Sequence, residues 1–176
     1  MPEASLENPP PVVVIMGVCG CGKTAVGELL AARLGVPFAD ADHFHPPENV
    51  ERMRSGVPLD DAARGPWLDR LASLIGDALR DGRGLVLACS ALKRSYRDRL
   101  GLSRPGVRLV FLDGDEALIR ERLEQRTGHY MPASLLASQC ASLERPTAEE
   151  RPVTIDVASP PESLAAVVVA ALRRPD

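Results

Sequence analysis

The stretch Gly17-Val18-Cys19-Gly20-Cys21-Gly22-Lys23-Thr24 lies between an unbroken apolar run, Val12–Met16, and a segment of helical character over 25–34. It fits the pattern G-x-x-x-x-G-K-[ST], in which a glycine turn joins a buried strand to the start of a helix. No other feature constrains the fold as tightly. Such a loop needs a strand behind it to fix its position. It also needs a helix ahead of it whose first N–H groups have no partner within the helix. Glycine lets the backbone curl until successive N–H groups point inward and hold phosphate oxygens. The pattern therefore points to nucleoside triphosphate binding by Gly17, Val18, Cys19, Gly20, Cys21, Gly22, Lys23 and Thr24. Lys23 would reach the β- and γ-phosphates, and Thr24 would offer its hydroxyl to Mg²⁺.

The rest of the chain can supply that scaffold. Its 176 residues are enough for one domain with a full core. A hydrophobic content of 45% and a charged content of 26% are ordinary for a globular protein. The net charge of −3 argues against a broad nucleic-acid surface, and 3% aromatic residues argue against a stacking platform for single strands. Residues 1–11 lack the charged start and apolar core of a secretory signal, and no apolar run is long enough to span a bilayer. Neither nucleic acid nor membrane is expected as a partner. Cys19, Cys21, Cys89 and Cys140 then read as reduced thiols of a cytoplasmic protein. The C-x-C and H-x-H spacings of Cys19, Cys21, His43 and His45 do not match the common zinc frameworks. A phosphate loop at a helix start can lower a thiol pKa and make it sensitive to oxidation. The plainer reading, which we prefer, is that both loop cysteines are small fillers.

Pro2, Pro9, Pro10 and Pro11, with few apolar neighbours, mark 1–11 as a disordered tail and leave 12–176 as one domain. Strands are expected over 12–16, 36–42, 85–89, 107–112 and 153–157. Helices are expected over 25–34, 46–55, 62–80, 95–100, 115–126, 133–144 and 161–173, with Gly35 ending the first. The pattern breaks at 128–132. Strands and helices alternate throughout, which predicts an α/β fold with a parallel five-stranded sheet covered by helices on both faces. Ligands of such a sheet gather at the carboxyl ends of its strands.

Asp40 and Asp42 close the second expected strand, where alternation puts both carboxylates on one side. Phosphoryl transfer to a hydroxyl needs a carboxylate to orient or deprotonate it, and ligands for a metal that neutralises the phosphates. Asp40 is the candidate metal ligand beside Thr24, and Asp42 the candidate for the hydroxyl. Taken alone, the pair would read as a solvated turn or a cap for the helix expected at 46.

Further residues narrow the family. His45-Pro46 with Asn49, then Arg52-Met53-Arg54-Ser55-Gly56-Val57-Pro58-Leu59, then Arg64-Gly65-Pro66-Trp67-Leu68, resemble the gluconokinase family, a branch of the P-loop small-molecule kinases. Ala88-Cys89-Ser90-Ala91-Leu92-Lys93-Arg94-Ser95-Tyr96-Arg97-Asp98 and Arg126-Thr127-Gly128-His129-Tyr130-Met131 agree, as does Ser138-Gln139 followed by Leu143-Glu144-Arg145-Pro146. The resemblance covers roughly 12–157. Its specific parts are the Cys-Ser-Ala-Leu-Lys segment and the Pro-Leu and Pro-Trp-Leu pair. There are departures. Cys19 and Cys21 stand where serine is frequent, Thr24-Ala25 replaces a Ser-Thr pair, and Ala41 stands where glycine is usual. Ala62-Ala63 replaces more acidic residues, and Cys140 replaces an aromatic. None removes a charged catalytic group. The resemblance implies a nucleoside-kinase-like three-layer P-loop fold with a short lid. It also implies a homodimer, and transfer of the γ-phosphoryl of ATP, with Mg²⁺, to the 6-hydroxyl of D-gluconate.

Gluconate is an open-chain polyol whose carboxylate lies at the far end from that hydroxyl. A site for it needs an acidic group near the hydroxyl and cationic donors near the carboxylate. Asp42 supplies the first. His45, Arg52, Arg64, Lys93 and Arg97 are candidates for the second, with His129 in the lid. Which of them holds the carboxylate stays open, and each taken singly is equally a solvated surface charge. Trp67 reads as a packing anchor ahead of a sugar platform. Arg122 and Arg126, four apart on one helical face, are candidates for the phosphates and for transition-state charge. Two other readings compete. One is a kinase of another small polyol acid such as shikimate, although shikimate kinases carry a glycine-rich turn where this chain has 89–93. The other is a nucleotide-dependent switch or binding module, against which stands the lack of an Asn-Lys-x-Asp motif.

Overall fold

The run Val12–Met16 forms β1, and every one of its side chains is buried. In the computed structural model, which describes residues 9–126 and 134–174, it is the middle strand of a five-stranded parallel sheet. Along the chain follow α1 (Lys23–Leu34), β2 (Phe38–Asp40), α2 (Pro47–Arg54), α3 (Asp61–Arg80), β3 (Leu85–Ala88) and α4 (Arg94–Leu100). Then come β4 (Val107–Asp113), α5 (Glu116–Gln125), α6 (Ser134–Ser142), β5 (Val153–Asp156) and α7 (Pro161–Leu172). The strand order is β2-β3-β1-β4-β5, so β1 pairs with β3 on one side and β4 on the other.

The apolar character of β1 on both faces has a direct cause: both faces are covered. Val13 and Ile15 point into a core shared with Val26 and Leu30 of α1, Leu123 of α5 and Val168 of α7. Val12, Val14 and Met16 point the other way, into a core with Trp67, Leu71 and Ile75 of α3 and Leu100 of α4. The two layers of helices and the sheet between them make the three-layer α/β fold expected from the alternation of elements.

Several element ends shift by a residue or two from the sequence reading, and the shift at the second strand bears on the site. The second strand stops at Asp40 instead of running to 42. The Asp40 side chain accepts the Asp42 N–H at 3.0 Å and starts a 3-10 turn over Ala41–Phe44. A short acidic side chain that caps its own backbone competes with the sheet ladder, and here it wins. Asp40 therefore ends the strand, paired beside Ala88, while Asp42 is placed by the turn that Asp40 caps and not by strand alternation. At the amino end, the Pro11 carbonyl accepts the Leu85 N–H at 3.3 Å. Residues 1–8, the lid expected at 128–132 and its His129 lie outside the described residues.

Helix α1 crosses β2 at Gly27. A methyl group there would lie 2.5 Å from Cε2 of Phe38. Alanine is favoured over glycine within a helix by about 1 kcal/mol, whereas overfilling a packed contact costs about 1–3 kcal/mol. The close approach should win. Gly27→Ala is expected to lower the midpoint of urea unfolding, and an equal or higher midpoint would contradict this packing.

Candidate active site

The loop between β1 and α1 is fixed at both ends and in its middle. The Gly17 N–H donates to the Ser90 carbonyl at 3.3 Å, tying the loop to the segment after β3. Gly20 and Gly22 have φ of 80° and 101°, the left-handed region that side chains resist. A methyl at Gly20 would also meet Cγ of Leu123 at 2.6 Å. The Cys19 N–H donates to Oε1 of Gln139, on α6, at 2.7 Å. Val18 and Cys21 turn their side chains into the core, so they offer only backbone to a ligand. Lys23 Nζ donates to the Gly17 and Val18 carbonyls at 2.9 and 3.0 Å, which keeps the ammonium against the loop.

Beside the loop, the Thr24 hydroxyl donates to Oδ2 of Asp40 at 3.0 Å, while Oδ1 holds the Asp42 N–H. Hard oxygen donors at the phosphate end of a cleft are what Mg²⁺ takes. It uses few protein ligands and completes its shell with phosphate oxygens and water. Thr24 and Asp40 fit that role. One cleft joins these groups to His45, Arg64 and Arg126, with Met53, Leu59 and Trp67 among its apolar walls.

Four of the sequence candidates lie elsewhere. Arg97 is buried, 1% exposed, and its guanidinium is committed to Glu150 and to the carbonyls of Ala91 and Leu92. It is a structural cation, not a ligand for substrate, and this corrects the expectation. Arg52 turns back on its own loop and donates to the Pro58 carbonyl at 3.3 Å. Lys93 pairs with Asp61 at 3.1 Å and sits over the Tyr96 ring, outside the cleft wall. Arg122, half-buried on α5, is not on that wall either, whereas Arg126 is. Arg64 is held in place: its Nη1 donates to the Tyr96 hydroxyl at 3.0 Å, and that hydroxyl donates in turn to Asp61. The Tyr96 hydrogen bond, followed by that of Lys93, keeps the Asp61 carboxyl below its ordinary pKa. Sequence reasoning gave no role to Gln139, Met53, Leu59, Ala88 or Ser90, all of which line the cleft. Gln139 falls in one of the family-like segments, but it meets its partner across 120 positions of sequence, and no local pattern reveals that contact.

The loop thiols also resolve. Burial pushes Cys19 up to about 11, and the Lys23 charge offsets this only in part. Burial pushes Cys89 up to about 12. Neither is poised as a thiolate, and the filler reading stands for Cys19.

His45 departs from its expected part as a cation. Its ring stacks on Trp67 with centroids 4.1 Å apart and planes at 13°. The Trp67 Nε1–H is anchored on the Ala41 carbonyl at 2.7 Å, so the tryptophan is a packing anchor that sets the ring above it. Burial first, and then the Arg64 charge, lower the His45 pKa from 6.5 to about 4. Its Nδ1 is buried without a hydrogen-bond partner among the described residues. At neutral pH the imidazole is uncharged and offers a donor and an acceptor, suited to a hydroxyl and not to a carboxylate. An NMR titration should show the His45 ring protonating near pH 4. Between about 6.5 and 4 the unfolded chain takes a proton that the native ring refuses, so stability should fall as pH falls through that window. A ring that titrates above pH 6 would contradict the buried, neutral state.

This geometry can be set beside known proteins. A sequence profile for an AAA domain matches residues 12–146. The gluconokinase of Gluconobacter oxydans (strain 621H) is 46% identical over 148 residues, covering 84% of this chain and 83% of that one. Among solved structures, a gluconokinase from Sinorhizobium meliloti 1021 aligns with a TM-score of 0.79 at 46% identity, covering 94% of this chain and 95% of that chain. An unliganded sugar kinase from Janibacter sp. HTCC2649 aligns with a TM-score of 0.88 at 43% identity, covering 93% and 95%. With identity of this extent over most of both chains, and a phosphate loop that closes on the Thr24–Asp40 pair, the chain belongs to the gluconokinase family of P-loop kinases.

Proposed function

We propose that this protein transfers the γ-phosphoryl group of ATP to the 6-hydroxyl of D-gluconate, giving 6-phospho-D-gluconate and ADP. The observation that carries this reading is the single cleft joining the phosphate loop, the Asp40 and Asp42 pair, and the cation of Arg64. Loop N–H groups and Lys23 hold the phosphates. Asp42 orients the 6-hydroxyl and takes its proton as the oxygen attacks the γ-phosphorus. The bond from that phosphorus to the β–γ bridging oxygen breaks, and ADP leaves. Arg126 neutralises charge on the transferring group. Thr24 and Asp40 would hold Mg²⁺, which screens the phosphates when bound.

At the far end of the substrate, Arg64 is the sequence-predicted cation that remains in the cleft apart from the phosphate-side groups. We assign it to the gluconate carboxylate. Its planar fork suits a carboxylate bidentately, and the Tyr96 hydroxyl fixes its orientation. The neutral His45 ring is left to hydrogen-bond a chain hydroxyl. The carboxylate assignment gives the arrangement a polarity, with acid at the reacting end and base at the distal end. The described cysteines are all free, which fits the reducing cytoplasm we propose for it. No described helix is long and apolar enough to cross a membrane. A homodimer belongs to the same reading, supported by the family resemblance.

Three variants test the roles separately. With Mg²⁺ present, ATP consumption should depend on D-gluconate and not on shikimate. Lys23→Ala should lower kcat by about three orders of magnitude with its melting temperature kept, because the ammonium acts on charge and not on the core. Asp42→Asn should lose turnover while keeping ATP affinity within about threefold, and loss of ATP affinity instead would make Asp42 a metal-site residue. Arg64→Lys should raise KM for gluconate by about tenfold or more with little change in KM for ATP. An unchanged gluconate KM would move the carboxylate elsewhere.

A further inference from the structure

Ala91 has φ of 46°, in the left-handed region that a residue with a Cβ resists. It lies three residues beyond the end of β3, in the turn that carries Ser90 and Leu92. Something must hold that turn, and Arg97 does. Its Nη1 donates to the Ala91 carbonyl at 2.9 Å and to the Leu92 carbonyl at 3.2 Å. Its Nε and Nη2 donate to the two carboxylate oxygens of Glu150 at 2.6 and 3.2 Å. Glu150 is itself fixed, because Oε2 accepts the Thr147 N–H at 2.8 Å in a capping box. A second tie comes from the same side: the Glu144 N–H donates to the Leu92 carbonyl at 2.8 Å.

The other end of the turn reaches the active site. The Ser90 carbonyl accepts the N–H of Gly17, the first residue of the phosphate loop, at 3.3 Å. Ala88 and Ser90 line the cleft. We propose that Arg97 is a positioning residue: its bidentate pair with Glu150 holds the left-handed Ala91 turn, and the turn fixes the Ser90 carbonyl that sets the start of the phosphate loop. A buried ion pair gives little stability over an apolar replacement of the same volume. What no apolar side chain can do is hold two carbonyls of a strained turn. The placement of this cation is accounted for by the turn, since its donors are spent there and on Glu150. The inference rests on the reading of the cleft as a kinase site, but its structural half can be measured without any substrate.

The test compares wild type, Ala91→Gly, Arg97→Lys and the double variant, well below their melting temperatures. Lysine keeps the charge but cannot reach both carbonyls and pair bidentately with Glu150. In Arg97→Lys, amide hydrogen exchange at Gly17 should accelerate by about tenfold or more, with Val14 and Val110 in the core strands unchanged. Gluconate-dependent kcat/KM should fall by about tenfold. Adding Ala91→Gly should restore both to within about threefold of Ala91→Gly alone, because glycine takes positive φ without the penalty that the clamp offsets. A merely structural role predicts something else: all strand amides accelerating together, and no recovery with glycine. That result, or a Gly17 amide that exchanges as in wild type, would overturn the proposal. If Arg97→Lys does not fold, Glu150→Gln, which keeps the shape and removes the charge, takes its place in the same comparison. Should wild type not turn over gluconate, the substrate reading fails while exchange at Gly17 still decides the clamp.

Discussion

A phosphate loop works only if its N–H groups are already aimed when the phosphates arrive, so the backbone between Gly17 and Lys23 must be held from outside itself. Here the hold begins with the Gly17 N–H on the Ser90 carbonyl. It continues through the buried side chains of Val18 and Cys21, which fasten the loop to the core. It ends at α1, whose helix starts at Lys23. The central strand supplies the rigidity behind these contacts, since β1 is packed on both faces and paired on both edges. Binding energy then need not be spent on ordering the loop, which is the advantage of preorganisation.

The chemistry follows from how charge is distributed around that loop. Lys23, Thr24, Asp40 and Asp42 cluster at the carboxyl ends of β1 and β2, where the sheet topology concentrates ligand groups. Charges of both signs line the cleft there, with Asp40 at the end of the strand and Asp42 in the turn that Asp40 caps. In the same cleft, Arg64 is steadied by Tyr96, while His45 is kept neutral by burial and by the Arg64 charge. In the proposed function these two basic residues of one cleft divide their work, the guanidinium meeting the carboxylate and the uncharged imidazole a hydroxyl.

Much of this was legible in the sequence, for identifiable reasons. The loop was visible because its spacing is dictated by backbone geometry, and the layers because apolar strand segments and helical segments alternate. Arg97 was misread because its role depends on Glu150, 53 positions away, and on a backbone angle at Ala91 that no residue type announces. Arg64 and Arg97 look alike as residues in family-like segments, and burial alone separates them. The second strand was drawn too long because Asp40 can serve either as strand residue or as cap. Gln139 gave no local sign of its contact with the loop, since a glutamine on a helix ordinarily faces water.

The central claim is that phosphorus leaves ATP for one particular oxygen of an open-chain sugar acid. Phosphorus NMR of the protein with ATP, Mg²⁺ and D-gluconate observes this directly. The account predicts that a phosphate monoester signal coupled to the two protons on carbon 6 grows in step with ADP. Growth of inorganic phosphate alone, or of a monoester coupled to a different carbon, would contradict it.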